Sequence, residues 1–377
     1  MDSSFEYLVT QLPPMLDTLE RWVNHDSPTF NKAPVDALGL QIADAFAGLG
    51  ASVKSHPQSE YGDHLRVDWG QGDRQILLLG HFDTVWPVGE TARRPFTVRD
   101  GKASGPGIND MKAGILIGLY ALQALVDTAQ TPAHRLVYVL TSDEENGSLS
   151  SRELIEIEAR RSDYALVLEP TRYGSLITWR KGVGRFNIET TGVAAHSGVD
   201  PEKGVSAVEE MAHQILRLQA MSDLASGTTV NVGVVGGGRL VNVVPASAKA
   251  ECDLRVMTVA EGERMERAIL GLTPALEGTT IKVSGGINRP PFEESEAGLA
   301  LFERARAIGA RLGLEIDKTG TGGGSDGNLT AALGVPTLDG LGVVGEGSHA
   351  LHEQILIDSL PQRAALLTEL VLDLGQP

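Results

Sequence analysis

Four short stretches of this chain set acids and histidines where a cation could gather them. The apolar run 75–80 (QILLLG) ends in His81-Phe82-Asp83, and 135–140 (RLVYVL) leads into Glu144-Glu145. The run 164–168 (YALVL) ends in Glu169, and Asp110 stands just before the long apolar segment that opens at Met111. Singly, each has an ordinary explanation. Asp110 could cap a helix, Glu144 and Glu145 could be solvated loop acids, and His81 a satisfied histidine at a strand end. Jointly they fall at one edge of one sheet, three of them beyond the carboxyl ends of strands, which is where open parallel sheets bind ligands. Clustered carboxylates repel and raise one another's pKa unless a cation intervenes. Two divalent ions answer that repulsion: three ligating carboxylates and one bridging hydroxide balance two Zn²⁺. On an extended segment residues i and i+2 share a face, so Asp83 can hold the far ring nitrogen of His81, as carboxylates commonly do for ligating histidines.

The elements that must position these groups read as alternating strands and helices. The segment 40–49 has helical spacing, 111–126 is apolar on most faces and predicts a buried helix, and 150–161 is a charged helical pattern. Continuous apolar strands separated by helices predict a largely parallel sheet covered on both faces. Between 180 and 288 the pattern changes to strand-helix-strand-strand-helix-strand: 184–190, 204–218, 228–235, 246–257, 260–271 and 279–284. Helix 295–312, apolar segment 333–338 and helix 358–374 then restore the first pattern. The expected fold class is therefore α/β. A catalytic domain with a mostly parallel sheet is made of 1–179 and 289–377, interrupted by an α+β, ferredoxin-like domain over 180–288.

Bulk properties bound the function. A chain of 377 residues exceeds one ordinary core, and 42% hydrophobic with 21% charged residues describes a soluble globular protein. No apolar run reaches the roughly 18 residues of a membrane span, and the acidic start MDSSFEYLVTQLPP lacks the features of a signal peptide. A net charge of −17 without a basic block argues against nucleic acid. The one cysteine, Cys252, lies in an alternating stretch and reads as a buried core thiol in a reducing, cytoplasmic setting.

The motifs together resemble the di-zinc metallopeptidase family that includes glutamate (folate) carboxypeptidase, aminoacylase, acetylornithine deacetylase and succinyl-diaminopimelate desuccinylase, with most likeness to the glutamate carboxypeptidase branch. The likeness covers nearly the whole chain. It rests on GHFDTVWPVG (80–89), GPGINDMKAG (105–114), TSDEENGS (141–148), LEPT (168–171), AAHSGVDPEKGVSA (194–207), NVVPASAKAECDLR (242–255), TGGGSDGN (321–328) and GSHALHE (347–353), in that order. It implies His81 and Glu169 on one metal, Glu145 and His349 on the other, and Asp110 bridging them. Two histidines compete in GSHALHE; the family's ligand stands four residues before a glutamate, so Glu353 selects His349 over His352. Glu144 becomes the general base that takes a proton from the metal-bound water and delivers it to the leaving amine. The peptide bond after Asp110 is implied to be cis.

The same likeness implies that the inserted domain is a dimerisation surface and lid, and it assigns that domain its chemistry. His196 reaches the neighbouring subunit's site and polarises the scissile carbonyl, with a solvated or capping histidine as the plain alternative. Arg255 and Asn242 bind the substrate's free carboxylate, which a guanidinium matches with two parallel bonds; a surface arginine is the alternative. Backbone N–H groups at Gly323 and Gly324 serve the same carboxylate, and no Gly-Lys-Ser/Thr follows to make a phosphate loop. The expectation is a homodimeric, zinc-dependent hydrolase (Co²⁺ or Mn²⁺ also suit such ligands) that cuts an amide bond beside a free carboxylate in a small molecule or short peptide. N-acetyl or N-succinyl amino-acid deacylation is the rival reaction. A catalytically silent metal-binding relative is the rival class, and it predicts a broken ligand or base.

Overall fold

In a computed structural model, which describes residues 3–375, the chain divides into two compact units. One comprises Met1–Trp179, Glu294–Thr321 and Ser325–Pro377; the other comprises Arg180–Glu293 with Gly322–Gly324. The second unit thus runs five residues beyond 288 and takes three glycines from the stretch expected to follow it. Those glycines go with it because Arg180 donates to Gly323 O and Gly324 O, and Arg255 to Gly322 O.

The strands that matter are β1 (Ser52–His56), β2 (His64–Trp69), β3 (Gln75–His81), β4 (Arg135–Thr141), β5 (Tyr164–Val167), β6 (Gly182–Thr191), β7 (Thr229–Gly237), β8 (Ser247–Val256), β9 (Thr280–Arg289) and β10 (Thr337–Leu338). In the first unit six of them form one sheet in the order β1-β2-β4-β3-β5-β10. β3 pairs parallel with both β4 and β5, and β10 pairs parallel with β5; β1 and β2 are antiparallel. Every residue of β3 is buried, and its alternation explains why the run carries no polar face. Ile76 and Leu78 enter the large core with the helix Ala113–Asp127, whereas Leu77 and Leu79 enter a smaller one with Ile155, Ala159 and Leu329. Two cores on opposite faces require apolar residues at both parities, hence QILLLG.

The Ala113–Asp127 helix is apolar nearly all round and buried accordingly. It opens directly behind the end of β5: a Cβ on Gly114 would stand 2.0 Å from Leu168 O, so only glycine lets helix and strand meet there. A smaller antiparallel sheet orders Gly345–Glu346, Gln354–Leu356, Lys102–Ser104 and Thr97–Arg99. It sets the hairpin tip 347–353 beside the loop 105–112.

In the second unit β7, β8, β6 and β9 form an antiparallel sheet in that order. With the helices Ala207–Gln219 and Val259–Leu270 the chain order is strand-helix-strand-strand-helix-strand, the ferredoxin-like arrangement. Met211, Leu218, Met265 and Ile269 pack against Phe186, Ile188, Ala250, Cys252 and Leu254 in its core.

Candidate metal centre

Because β3, β4 and β5 are parallel, their carboxyl ends open on one edge, and the first unit's acids and histidines converge there. His81, at the end of β3, is 1% exposed. Its Nε2 lies 3.1 Å from Asp110 Oδ1 and 3.6 Å from Glu169 Oε1. On the other side, His349 Nε2 lies 3.0 Å from Glu145 Oε2 and 3.4 Å from Asp110 Oδ2. Two groups result, His81-Asp110-Glu169 and Asp110-Glu145-His349, each with ligand atoms within 4.8 Å of one another. Asp110 belongs to both and offers a different oxygen to each. Glu144 belongs to neither, and its Oε2 is 4.0 Å from His81 Nε2. His352 is exposed and in neither group.

The reading of Asp110 as a helix cap is overturned. The helix begins at Ala113 rather than Met111, Asp110 and Met111 leave helical geometry, and the peptide bond between them is cis. The Asp110 carboxylate turns toward the two histidines instead.

Asp83 does more than the i, i+2 spacing suggests. Its Oδ1 stands 3.4 Å from His81 Nδ1, and its main-chain oxygen is 3.1 Å from the same nitrogen. Its carboxylate also accepts from Glu144 N and Glu145 N, each at 3.2 Å, and from Thr29 Oγ1 at 2.8 Å. One buried group therefore orients both the end of β3 and the turn after β4. That turn is held from beneath by Asp143, which accepts from Ser150 N and Oγ at 2.6 and 2.8 Å and from Ser151 Oγ at 2.6 Å. Nothing in the sequence reading singled out Asp143, although the serines after Glu145 were the available signal.

Electrostatics show what the cluster favours. Burial opposes protonation of His81, yet bonds to Asp110 and Asp83 and the charges of Glu144 and Glu169 outweigh it and raise its pKa well above the usual range. Asp110 and Glu145 push His349 up to about 11. Burial raises Glu145, and Asp110 and Asp83 repel it further. Left to protons alone, the site draws positive charge onto its imidazoles. Two imidazoles and three carboxylates, arranged as overlapping triads, fit a pair of divalent cations.

The second unit's expected site residues separate into two sets. Arg255 and Gly322–Gly324 share one end of its sheet. The Arg255 guanidinium already pairs with Asp253, at 2.8 Å through Nε and 2.9 Å through Nη2, and donates to Gly322 O. Arg180 and Arg289 are buried near the same glycines. His196 and Asn242 lie at the opposite end, joined by Ser197 N to Asn242 O at 3.0 Å and by a bridge between His196 and Val243. His196 is exposed, and its Nδ1 accepts from Gly198 N at 3.2 Å.

Comparison with known proteins matches residues 77–373 to the family model described as peptidase family M20/M25/M40. The chain is 32% identical to carboxypeptidase G2 of Pseudomonas sp. (strain RS-16), covering 98% of this chain and 92% of that one. It is 28% identical to succinyl-diaminopimelate desuccinylase of Dechloromonas aromatica, over 77% and 81% of the two chains. Among solved structures, aminopeptidase PepT of Bacillus cereus superposes with a TM-score of 0.80 at 24% identity, over 97% of this chain and 99% of that one.

Proposed function

The chain belongs to peptidase family M20/M25/M40 and is a metallopeptidase-type hydrolase of amide or peptide bonds, and from that premise we propose that it cleaves the amide bond beside a free carboxylate in an N-acyl amino acid or short peptide. The observation that carries this reading is Asp110, whose two carboxylate oxygens face two separate histidine-carboxylate groups.

His81 and Glu169 would hold one cation, Glu145 and His349 the other, and Asp110 both. The donor set suits Zn²⁺, with Co²⁺ or Mn²⁺ as alternatives. Bound there, the pair would polarise the scissile carbonyl and acidify the attacking water. The remaining work belongs to the protein. With a cation bound, Asp83 would keep a proton on the far nitrogen of His81 and leave the lone pair of Nε2 for the metal. Glu144, beside the cluster but outside both groups, takes the proton of the attacking water and delivers it to the amine as the C–N bond breaks. Arg255, with the N–H groups of Gly323 and Gly324, binds the substrate carboxylate, exchanging part of its pairing with Asp253.

His196 and Asn242, at the far end of their sheet, act in the site of a second copy, His196 on the carbonyl oxygen. Support for a dimer comes from β7, an edge strand whose Val234 and Val235 are 57% and 59% exposed. Among the described residues no helix is long and apolar enough to cross a membrane. The one cysteine, Cys252, is buried and unpaired with another cysteine, which supports a reducing, cytoplasmic setting.

The relative named carboxypeptidase G2 favours release of a C-terminal amino acid such as glutamate, and the relative named desuccinylase supports the second reading, deacylation of an N-acylated diamino acid. Initial rates on folyl-glutamate, N-acyl amino acids, N-succinyl diamino acids and dipeptides separate the two. The Glu144→Ala enzyme should bind both metals and lose about 10²–10⁴-fold in kcat; full activity with both metals bound sinks the mechanism.

A further inference from the structure

The hairpin that carries His349 also carries Glu353, and Glu353 is 1% exposed. Its carboxylate does not point at the metal centre but spans the loop that bears Asp110. Oε1 accepts from Asn109 N at 2.9 Å and Asp110 N at 3.1 Å, and Oε2 accepts from Gly107 N at 2.9 Å and Trp86 Nε1 at 3.0 Å. Four donors on one buried carboxylate satisfy nearly all its lone pairs. Three of them are main-chain N–H groups of a turn whose Gly107 has φ +71°, a concavity that suits an anion. The buried Lys112 ammonium, held by His25 O at 2.8 Å, adds an attractive charge.

The two segments meet a second time, where Asn109 Nδ2 donates to Ser348 Oγ at 2.8 Å. They are also pressed together: a Cβ on Gly345 would lie 2.2 Å from Asn109 Oδ1. The hairpin is clamped from outside as well. Arg94 donates to Leu351 O at 3.0 Å and stacks on Trp86 at 4.1 Å. His349 itself is held at φ +62°, a backbone conformation unfavourable for a side chain with a Cβ, and is half exposed. Its position therefore depends on the surrounding clamp rather than on burial of its ring.

We propose that Glu353 is a positioning residue that ties the two metal half-sites into one unit, so that filling one prepares the other. Asp110 can serve both cations only if its loop is fixed relative to His349, and Glu353 accepts three of the hydrogen bonds that join loop and hairpin. This rests on the two-metal reading above. The reciprocity is thermodynamic: whatever the first cation does to order the loop and hairpin lowers the cost for the second.

Calorimetric titration of the chelated, full-length chain with Zn²⁺, and the visible spectrum with Co²⁺, test the proposal. The unmodified chain should take up two cations per chain in a steep, coupled process. In Glu353→Gln one oxygen is replaced by a donor facing N–H groups, and the two events should separate. The weaker site should then lose about 10–100-fold in affinity, the range expected for a residue that orients metal ligands, and the Co²⁺ spectrum should change at one equivalent. Glu353→Asp keeps the charge but falls one methylene short of the loop. It should shift the same quantities less, and it carries the test if the glutamine variant does not fold. Both affinities within twofold of the unmodified chain, with an unchanged Co²⁺ spectrum, overturn the proposal while leaving the two-metal reading intact. Fewer than two cations bound by the unmodified chain overturns both.

Discussion

The two units of this molecule use strand ends in opposite ways. In the first, β3, β4 and β5 run parallel, so residues at or just beyond the end of each strand (His81 and Asp83, Glu144 and Glu145, Glu169) arrive together at one edge. In the second, neighbouring strands are antiparallel, so residues beyond β6 and β7 go to one end of the sheet and residues beyond β8 and β9 to the other. His196, beyond Thr191, and Arg255, near the end of β8, consequently lie a strand length apart, about 30 Å at roughly 3.3 Å per residue. Parallel pairing concentrates chemistry, and antiparallel pairing distributes it. The proposed division of work, with Arg255 at one site and His196 at that of a second copy, rests on this separation.

The units also differ in what holds their polar groups. Asp83, Asp143 and Glu353 are buried and fully engaged by hydrogen bonds that set ligand geometry. His196 is exposed and lightly tethered, and Arg255 is held chiefly by Asp253.

Three experiments press on this contrast, in falling order of effect. Thorough chelation should reduce amidase activity to background, because the first unit's cluster has no other means of polarising the carbonyl, and Zn²⁺, Co²⁺ or Mn²⁺ should restore it. Residual activity after verified metal removal would break the assignment of chemistry to that edge. Next, Glu144→Ala and His196→Ala chains, each nearly inactive alone, should recover activity when subunits are exchanged. If His196 serves the partner, a mixed dimer holds one intact site and one doubly defective site, so random exchange yields about a quarter of normal activity. Unchanged, near-zero activity after exchange, with mixed dimers verified by mass, would place His196 in its own chain's site.

The smallest effect concerns stability of the second unit. Burial works against ionisation of Glu210, but Gln214, the N–H groups of Ala275 and Leu276, and Thr279 donate to its carboxylate and bring its pKa down to about 2. A depressed carboxylate contributes stability that is complete above its ordinary value of 4.5 and disappears as pH falls toward 2. The unmodified chain should therefore lose stability between about pH 4.5 and 2. Glu210→Gln should be less stable at neutral pH and show a shallower acid limb, measured by denaturant titration at stepped pH. An identical acid limb would show that Glu210 is not the group responsible.

Much of this was legible in the chain itself. Unbroken apolar runs marked strands buried on both faces, and the long segment after Asp110 marked a buried helix, although its start lies at Ala113 rather than Met111. The position of acids and histidines at run ends identified the edge where chemistry collects. Local patterns could not show how Asp110 is used, because capping and metal binding ask for the same short carboxylate before a helix. Nor could spacing reveal that Glu353 grips residues 107–110, since that contact spans more than two hundred residues and obeys no period.

The residue types and their order along the chain thus determined the α/β class, the edge and the cation-binding chemistry, because strand periodicity and charge repulsion are local properties readable from neighbours. Tertiary structure alone showed which Asp110 oxygen faces His81 and which faces His349, that Asp83 also grips the turn of Glu144 and Glu145, that Glu353 anchors the Asp110 loop, and that His196 and Arg255 stand at opposite ends of one sheet. Each of those depends on pairing direction and on contacts between segments far apart in sequence, which no local pattern encodes.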